Sequence, residues 1–287
     1  MSDLAQRLAT LKRQAGHAAP AAVVTHAVAR ASRSDIRDQL RRMLQLRPVP
    51  RPARGPVDRR VEGVELAPGL RYIEQWQPFD RLPERMSLHG LGHTEVCSDH
   101  ILAFDTETTG LAGGTGTRAF MIGAADWRDG GLRTRQLLTT TLAAESAMLK
   151  EFAAWLQPDT ILLSYNGKSY DRPLLSTRYT LSRQRDPLRE RTHIDLLLHV
   201  RRRYKGIWDN CRLMTAEREL LGVLREDDLP GAEAPAAWLA NLRGGCAEKL
   251  RRVGKHNADD LRSLWGILAR FQDPTEPPST HSYLRVP

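Results

Sequence analysis

The chain has 287 residues, 41% of them apolar, with 43 Lys and Arg against 34 Asp and Glu, a formal net charge of +9. Such a length buries one full core plus an extension; no apolar run nears the roughly 20 residues that span a bilayer, and the charged, amphipathic stretch 1–13 lacks the apolar centre of a secretory leader. The expected location is therefore the cytoplasm, the expected partner of so basic a chain is a polyanion, and Cys97, Cys211 and Cys246, far apart and outside any CxxC pattern, read as reduced structural thiols rather than a zinc site or disulfide framework.

In chain order, residues 1–70 hold 13 basic and 6 acidic residues, most of the excess. Leu4, Leu8 and Leu11, then Ile36, Leu40, Met43 and Leu44, recur near the helical period, predicting helices over 1–15 and 34–46 with Ser34 capping the second. From Arg47 to Pro56 the prolines lack amide donors and favour extended backbone, as in a linker. The division expected is a basic helical extension with its Pro/Arg-rich linker over 1–60, a main domain over 61–275 and a tail over 276–287.

From about residue 100 the pattern is α/β. Ile101–Phe104 is a short buried strand, and strands at Ala119–Trp127 and Leu132–Thr140 flank Arg128-Asp-Gly-Gly131, whose Asp and Gly tolerate the positive φ of a hairpin turn. A helix over Ala143–Leu156, a strand over Thr160–Tyr165 and a helix over Arg172–Ser182, entered through Pro173, follow. Further helices are expected over 195–204, 212–221, 236–242 and 258–271, the last with Leu261, Leu264, Trp265 and Leu268 on one face.

The candidate chemistry lies between these elements. Asp105 and Glu107 stand two apart just beyond the first strand, where alternation turns both carboxylates to one side. An isolated Asp-x-Glu is usually a solvated strand end, but the threonines and turn glycine of Phe104-Asp-Thr-Glu-Thr-Thr-Gly-Leu111 favour a metal site. Gly110-Leu-Ala-Gly-Gly-Thr-Gly116 lacks the Gly-Lys-Ser/Thr ending of a phosphate loop and reads as a tight connection beside the acids. In Ser164-Tyr-Asn-Gly-Lys-Ser-Tyr-Asp171, Asp171 projects from the sheet's end toward the first pair while also fitting a helix cap, and Asn166 offers an amide to substrate or water.

Lys255-His-Asn-Ala-Asp-Asp-Leu261 opens the last predicted helix, where Asn257 and Asp260 fit a capping-box-like start. If that helix begins one turn earlier, His256 and Asp260 share a face, and His256, with an ordinary pKa near 6.5, is a candidate general base. Asp195 reads as a helix cap or a supporting acid as readily as a ligand, His193 as structural, and Trp208, Trp238 and Trp265 as core. Four carboxylates and a histidine are the side chains of a two-metal phosphodiesterase, in which two Mg2+ or Mn2+ ions about 4 Å apart are held by carboxylate oxygens.

The three acidic strings resemble the exonuclease motifs of the DEDD superfamily. More narrowly, Gly110 to Gly123, Asp228-Leu-Pro-Gly231 with Pro235, and His256-Asn-x-x-Asp-Leu-x-Ser-Leu264 resemble the YprB-like branch of ribonuclease-H-like exonucleases, over about residues 65–270. The resemblance implies a ribonuclease-H-like (DnaQ-like) α/β fold, its mixed central sheet flanked by helices. It implies 3′→5′ exonuclease activity on DNA or RNA with an accessible 3′ end, and Asp105, Glu107, Asp171 and Asp260 as metal ligands. His256 precedes Asp260 by four residues, a spacing that elsewhere in the superfamily belongs to a tyrosine. Thr109 and Asn166 are candidate contacts to the terminal nucleotide. Two rival expectations share the fold, since fold alone does not choose a cleavage mode: a structure-selective endonuclease, and a non-catalytic nucleic-acid-binding module acting through Arg-rich residues 30–60.

Overall fold

The computed structural model describes residues 57–272 except 80, 81, 94, 111–114, 226 and 227. The helices expected over 1–15 and 34–46, the linker at 47–56 and the tail at 276–287 lie outside the described residues.

The described chain opens with strands that the apolar pattern does not flag: β1 (Val64–Ala67), β2 (Leu70–Pro78), β3 (Arg85–Ser87) and β4 (Glu95–Cys97). Then come β5 (Ile101–Thr108), β6 (Ala119–Arg128), β7 (Gly131–Thr139), α1 (Glu145–Ala154), β8 (Ile161–Ser164), α2 (Asp171–Leu181) and β9 (His193–Asp195). The helices α3 (Leu196–Tyr204), α4 (Leu213–Ala216), α5 (Ala234–Leu242) and α6 (Glu248–Arg270) complete the order. Among the described residues the main sheet has seven strands in the order β1-β2-β7-β6-β5-β8-β9. β8 and β9 run parallel to β5, and the other neighbours are antiparallel. β6 and β7 join through Asp129 and Gly130, at φ of 49° and 77°, the two-residue turn that matches strand twist.

Side-chain alternation along β5 organises both layers of the core. Leu102 and Phe104 enter a cluster with Met148 and Phe152 of α1 and Leu175 and Tyr179 of α2. Ile101 and Ala103 face the opposite way, into a cluster with Leu261, Leu264 and Trp265 of α6. Continued to the end of the strand, the same alternation gives Asp105 and Glu107 to the α6 side and Thr106 to the α2 side. Trp265 and Trp238 are core residues, as expected, whereas Trp208 is half-buried and stacks on Tyr204 at a centroid distance of 3.9 Å.

The last helix starts at Glu248 rather than 258. Its buried stripe runs through Leu250, Val253, Asn257, Leu261, Leu264 and Leu268, and the basic residues and Gly254 of the first half obscure it in the sequence. No described helix is long and apolar enough to cross a membrane.

Glu145 ties α1 to α2. Only 8% exposed, it accepts hydrogen bonds from Arg178 Nε and Nη2, both at 2.6 Å, and from Arg118 Nη1 at 2.7 Å. Removing one partner of a buried ion pair leaves an uncompensated charge and costs about 3–5 kcal/mol. Glu145→Ala is accordingly expected to lower the melting midpoint by roughly 10 °C in calorimetry. An unchanged midpoint would show that the bridge adds no net stability.

Candidate active site

β5 continues to Thr108, so Asp105 and Glu107 lie within the strand rather than beyond its end, as the sequence reading had them. Opposite Asp105 on β6 stands Gly123, where an added Cβ would come within 2.0 Å of Asn257 Oδ1. The missing side chain lets α6 approach the sheet closely. Asn257, fully buried, donates Nδ2–H to Asp105 Oδ2 at 2.9 Å and accepts from Gln136 Nε2 at 2.8 Å. The capping-box reading of Asn257 and Asp260 is therefore corrected: both lie well inside α6, and Asn257 holds the first acid.

Asp171 is the first residue of α2, behind Tyr170 at the cap position; its carboxylate accepts from Thr106 Oγ1, the side chain that alternation turns toward α2. His256 and Asp260 share a face of α6, with Nε2 of His256 3.8 Å from Asp260 Oδ2. Nδ1 of the same ring lies 2.8 and 2.9 Å from the two carboxylate oxygens of Asp228. Arg225, 7% exposed, donates to both Asp260 and the buried Glu217, and lies 3.4 Å from Asp228. Glu217 and Arg225 carry no sequence signal, and Thr106 shows only as one of the threonines beside Asp105 and Glu107. Asp228 shows only through its Asp-Leu-Pro-Gly string.

The acids crowd one another. Burial first, then the charges of Asp171, Asp260 and Glu107, hold the Asp105 carboxyl well above the usual carboxylate range. Burial likewise raises Glu107 from the ordinary 4.5 to about 7, against the pull of His256, and Asp171 from 3.8 to about 6, against its hydrogen bond from Thr106. Asp260 is raised by burial, less so because Arg225 and His256 favour its charge. An oxygen-only donor set with surplus negative charge matches the ligand chemistry of a hard divalent cation.

A stability prediction follows from the sign of these shifts. Between the ordinary carboxylate range and about pH 7 the folded state binds more protons than the unfolded state, so stability falls as pH rises through that window. The melting midpoint of metal-free protein is expected to drop from about pH 4.5 to about pH 7, and Mg2+ or Mn2+ should restore it most at the upper end. A midpoint indifferent to the ion at neutral pH would mean that the acids hold none.

The remaining candidates serve the surrounding backbone. Thr109 N donates to Arg118 O at 2.9 Å and Thr109 Oγ1 accepts from Arg118 N at 3.1 Å. Asn166, at φ 69°, donates its backbone N–H to Asp195 Oδ1 at 2.7 Å and opens the turn that leads to Asp171. Asp195 also accepts from Lys168 N at 3.0 Å and caps α3 through Leu197 N at 3.1 Å, the cap role among those expected of it. His193 bonds Ser164 Oγ at 2.7 Å, and burial pushes it down to about 3, so it stays neutral and structural. Cys97 has closer company than its sequence spacing indicates: its ligand atom and those of Asp99 and His100 lie within 4.8 Å of one another. His100 Nε2 there is 3.0 Å from Asp159.

A family model for the RNase_H superfamily matches residues 102–272. The chain is 37% identical over 194 residues to the protein named "Uncharacterized protein YprB" of Bacillus subtilis (strain 168), a match covering 65% of this chain; the chain spans about half the length of that relative, 47%. Among solved structures, the family B DNA polymerase of the archaeon Pyrobaculum calidifontis shares 17% identity at a TM-score of 0.45, over 59% of this chain and 24% of the polymerase. Exonuclease I of E. coli with a 5cy-dA13 oligonucleotide shares 17% identity at a TM-score of 0.34, over 49% of this chain and 40% of that one.

Proposed function

The chain belongs to the ribonuclease H superfamily, and from that premise we propose that it is a cytoplasmic, metal-dependent nuclease that removes nucleotides from the 3′ end of DNA or RNA. The observation that carries this reading is the gathering of Asp105 and Glu107 from β5, Asp171 from α2 and Asp260 from α6, with His256 facing them. Asp105 and Glu107 would be the main ligands of two Mg2+ or Mn2+ ions, with Asp171 and Asp260 as further ones; ions held there would lower the pKa of a water and offset charge on the leaving 3′ oxygen. Asn257 orients Asp105 through its amide, and Thr106 orients Asp171 through its hydroxyl. His256 takes the proton of the attacking water at Nε2. Thr109 and Asn166, which border the acids in sequence, contact the terminal nucleotide, and the basic stretch 1–60 adds phosphate contacts.

Product analysis on matched 3′- and 5′-labelled single strands of DNA and RNA, with magnesium or manganese, tests the reading. Strands should shorten stepwise from the 3′ end, a blocked 3′ terminus should protect them, and a circular strand should stay intact. Internal cuts in the circle would replace this reading with an endonuclease. Tight binding without any product would replace it with a non-catalytic module.

A further inference from the structure

His256 is approached at Nδ1 by two groups of opposite demand. Arg225 Nη1, 3.2 Å away, can only donate, while the Asp228 carboxylate, at 2.8 and 2.9 Å, can only accept when ionised. The shorter, charge-assisted contact decides the proton's place: Nδ1 carries it, and Arg225 Nη1 turns to Asp228 instead, at 3.4 Å. Asp228 is anchored for the task. Its neighbour Leu229 is 4% exposed, in a cluster with Phe120 and Trp238, and Arg225 links Asp228 to the buried Glu217 and to Asp260. With Nδ1 occupied, the lone pair of Nε2 is left on the side of Asp260, 3.8 Å away. Nothing on α6 itself makes this bond to the ring; the partner comes from 28 residues upstream.

We infer that Asp228 is the positioning residue of the site, holding His256 in the tautomer whose Nε2 lone pair faces the acidic cluster. The inference rests on the reading of His256 as general base, yet its structural half can be measured in protein that turns nothing over. A general-base imidazole oriented by a carboxylate in this way fails when the carboxylate becomes an amide, because the amide donates to Nδ1 and drives the proton to the wrong nitrogen.

The test is nitrogen-15 NMR of the His256 ring in metal-free full-length protein, in alkaline buffer where the imidazole is neutral, with His256→Gln identifying the signals. Wild type should show the proton on Nδ1. Asp228→Asn should move it to Nε2 and lower kcat by about 10²-fold or more, with KM and Mn2+ affinity changed by less than about threefold. Asp228→Glu, which keeps the accepting charge, should keep the wild-type tautomer. A wild-type proton on Nε2, which would make Arg225 the donor to Nδ1, overturns the inference without any variant. So does a tautomer that Asp228→Asn leaves unmoved, or a full rate in that variant. Should wild type show no nuclease activity, the tautomers still decide the role of Asp228, and only the reading of His256 as base falls.

Discussion

Asp105→Asn and Asp171→Asn, made separately, are each expected to abolish cleavage in magnesium or manganese while the protein still melts cooperatively. An amide keeps the shape of the carboxylate and its capacity to accept from Asn257 or Thr106, but withdraws the charge that a hard cation needs. Loss of an outer-shell partner alone costs about 10–100-fold at metal sites, so loss of a ligand should exceed that. The sign of the stability change is a second check. Because the Asp105 carboxyl is forced upward by burial and by three neighbouring acids, its neutral replacement should raise the metal-free melting midpoint at neutral pH. Near-normal activity in either variant would remove the two-ion account.

His256→Ala is expected to lower the rate by about 10²–10⁴-fold with little change in metal affinity. The alternative, a residue at a helix start, predicts lost stability and a full rate in the folded fraction. The structure separates the two: His256 lies in the middle of α6, where alanine is the best helix former, so the helix itself should tolerate the change. Burial pushes the imidazole down, but Asp260, the bond to Asp228 and Glu107 outweigh it, and the net shift is upward. As general base, the ring should contribute to the acidic limb of the pH–rate profile, which should change in the variant. A destabilised but fully active His256→Ala would overturn the assignment.

That Asp105, Glu107, Asp171, His256 and Asp260 gather in one place could be read from the sequence because strand and helix periods place them on definite sides. The groups that hold them were not legible. Asn257 and Asp105 are 152 residues apart, Arg225 and Asp260 35, and Asp228 and His256 28, so no local pattern records those pairings. Gly123 ends one of the strings that carry the resemblance, but its packing role depends on how closely α6 approaches β6 and is not written there. β2 escaped for a different reason. Only Leu70 among its nine residues is fully buried and Trp76 is 53% exposed, so the strand is fixed by its ladder to β7 rather than by an apolar face.

Calorimetric titration of Mn2+ into metal-free protein at about pH 7.5, repeated in two buffers of different ionisation enthalpy, tests the central claim most directly. Carboxyls raised toward neutrality must release protons when a cation takes their place. Wild type should show saturable binding with net proton release, and Asp105→Asn should lose most of both. Binding without proton release, or binding equally strong in the variant, would contradict the assignment of these acids as the metal site.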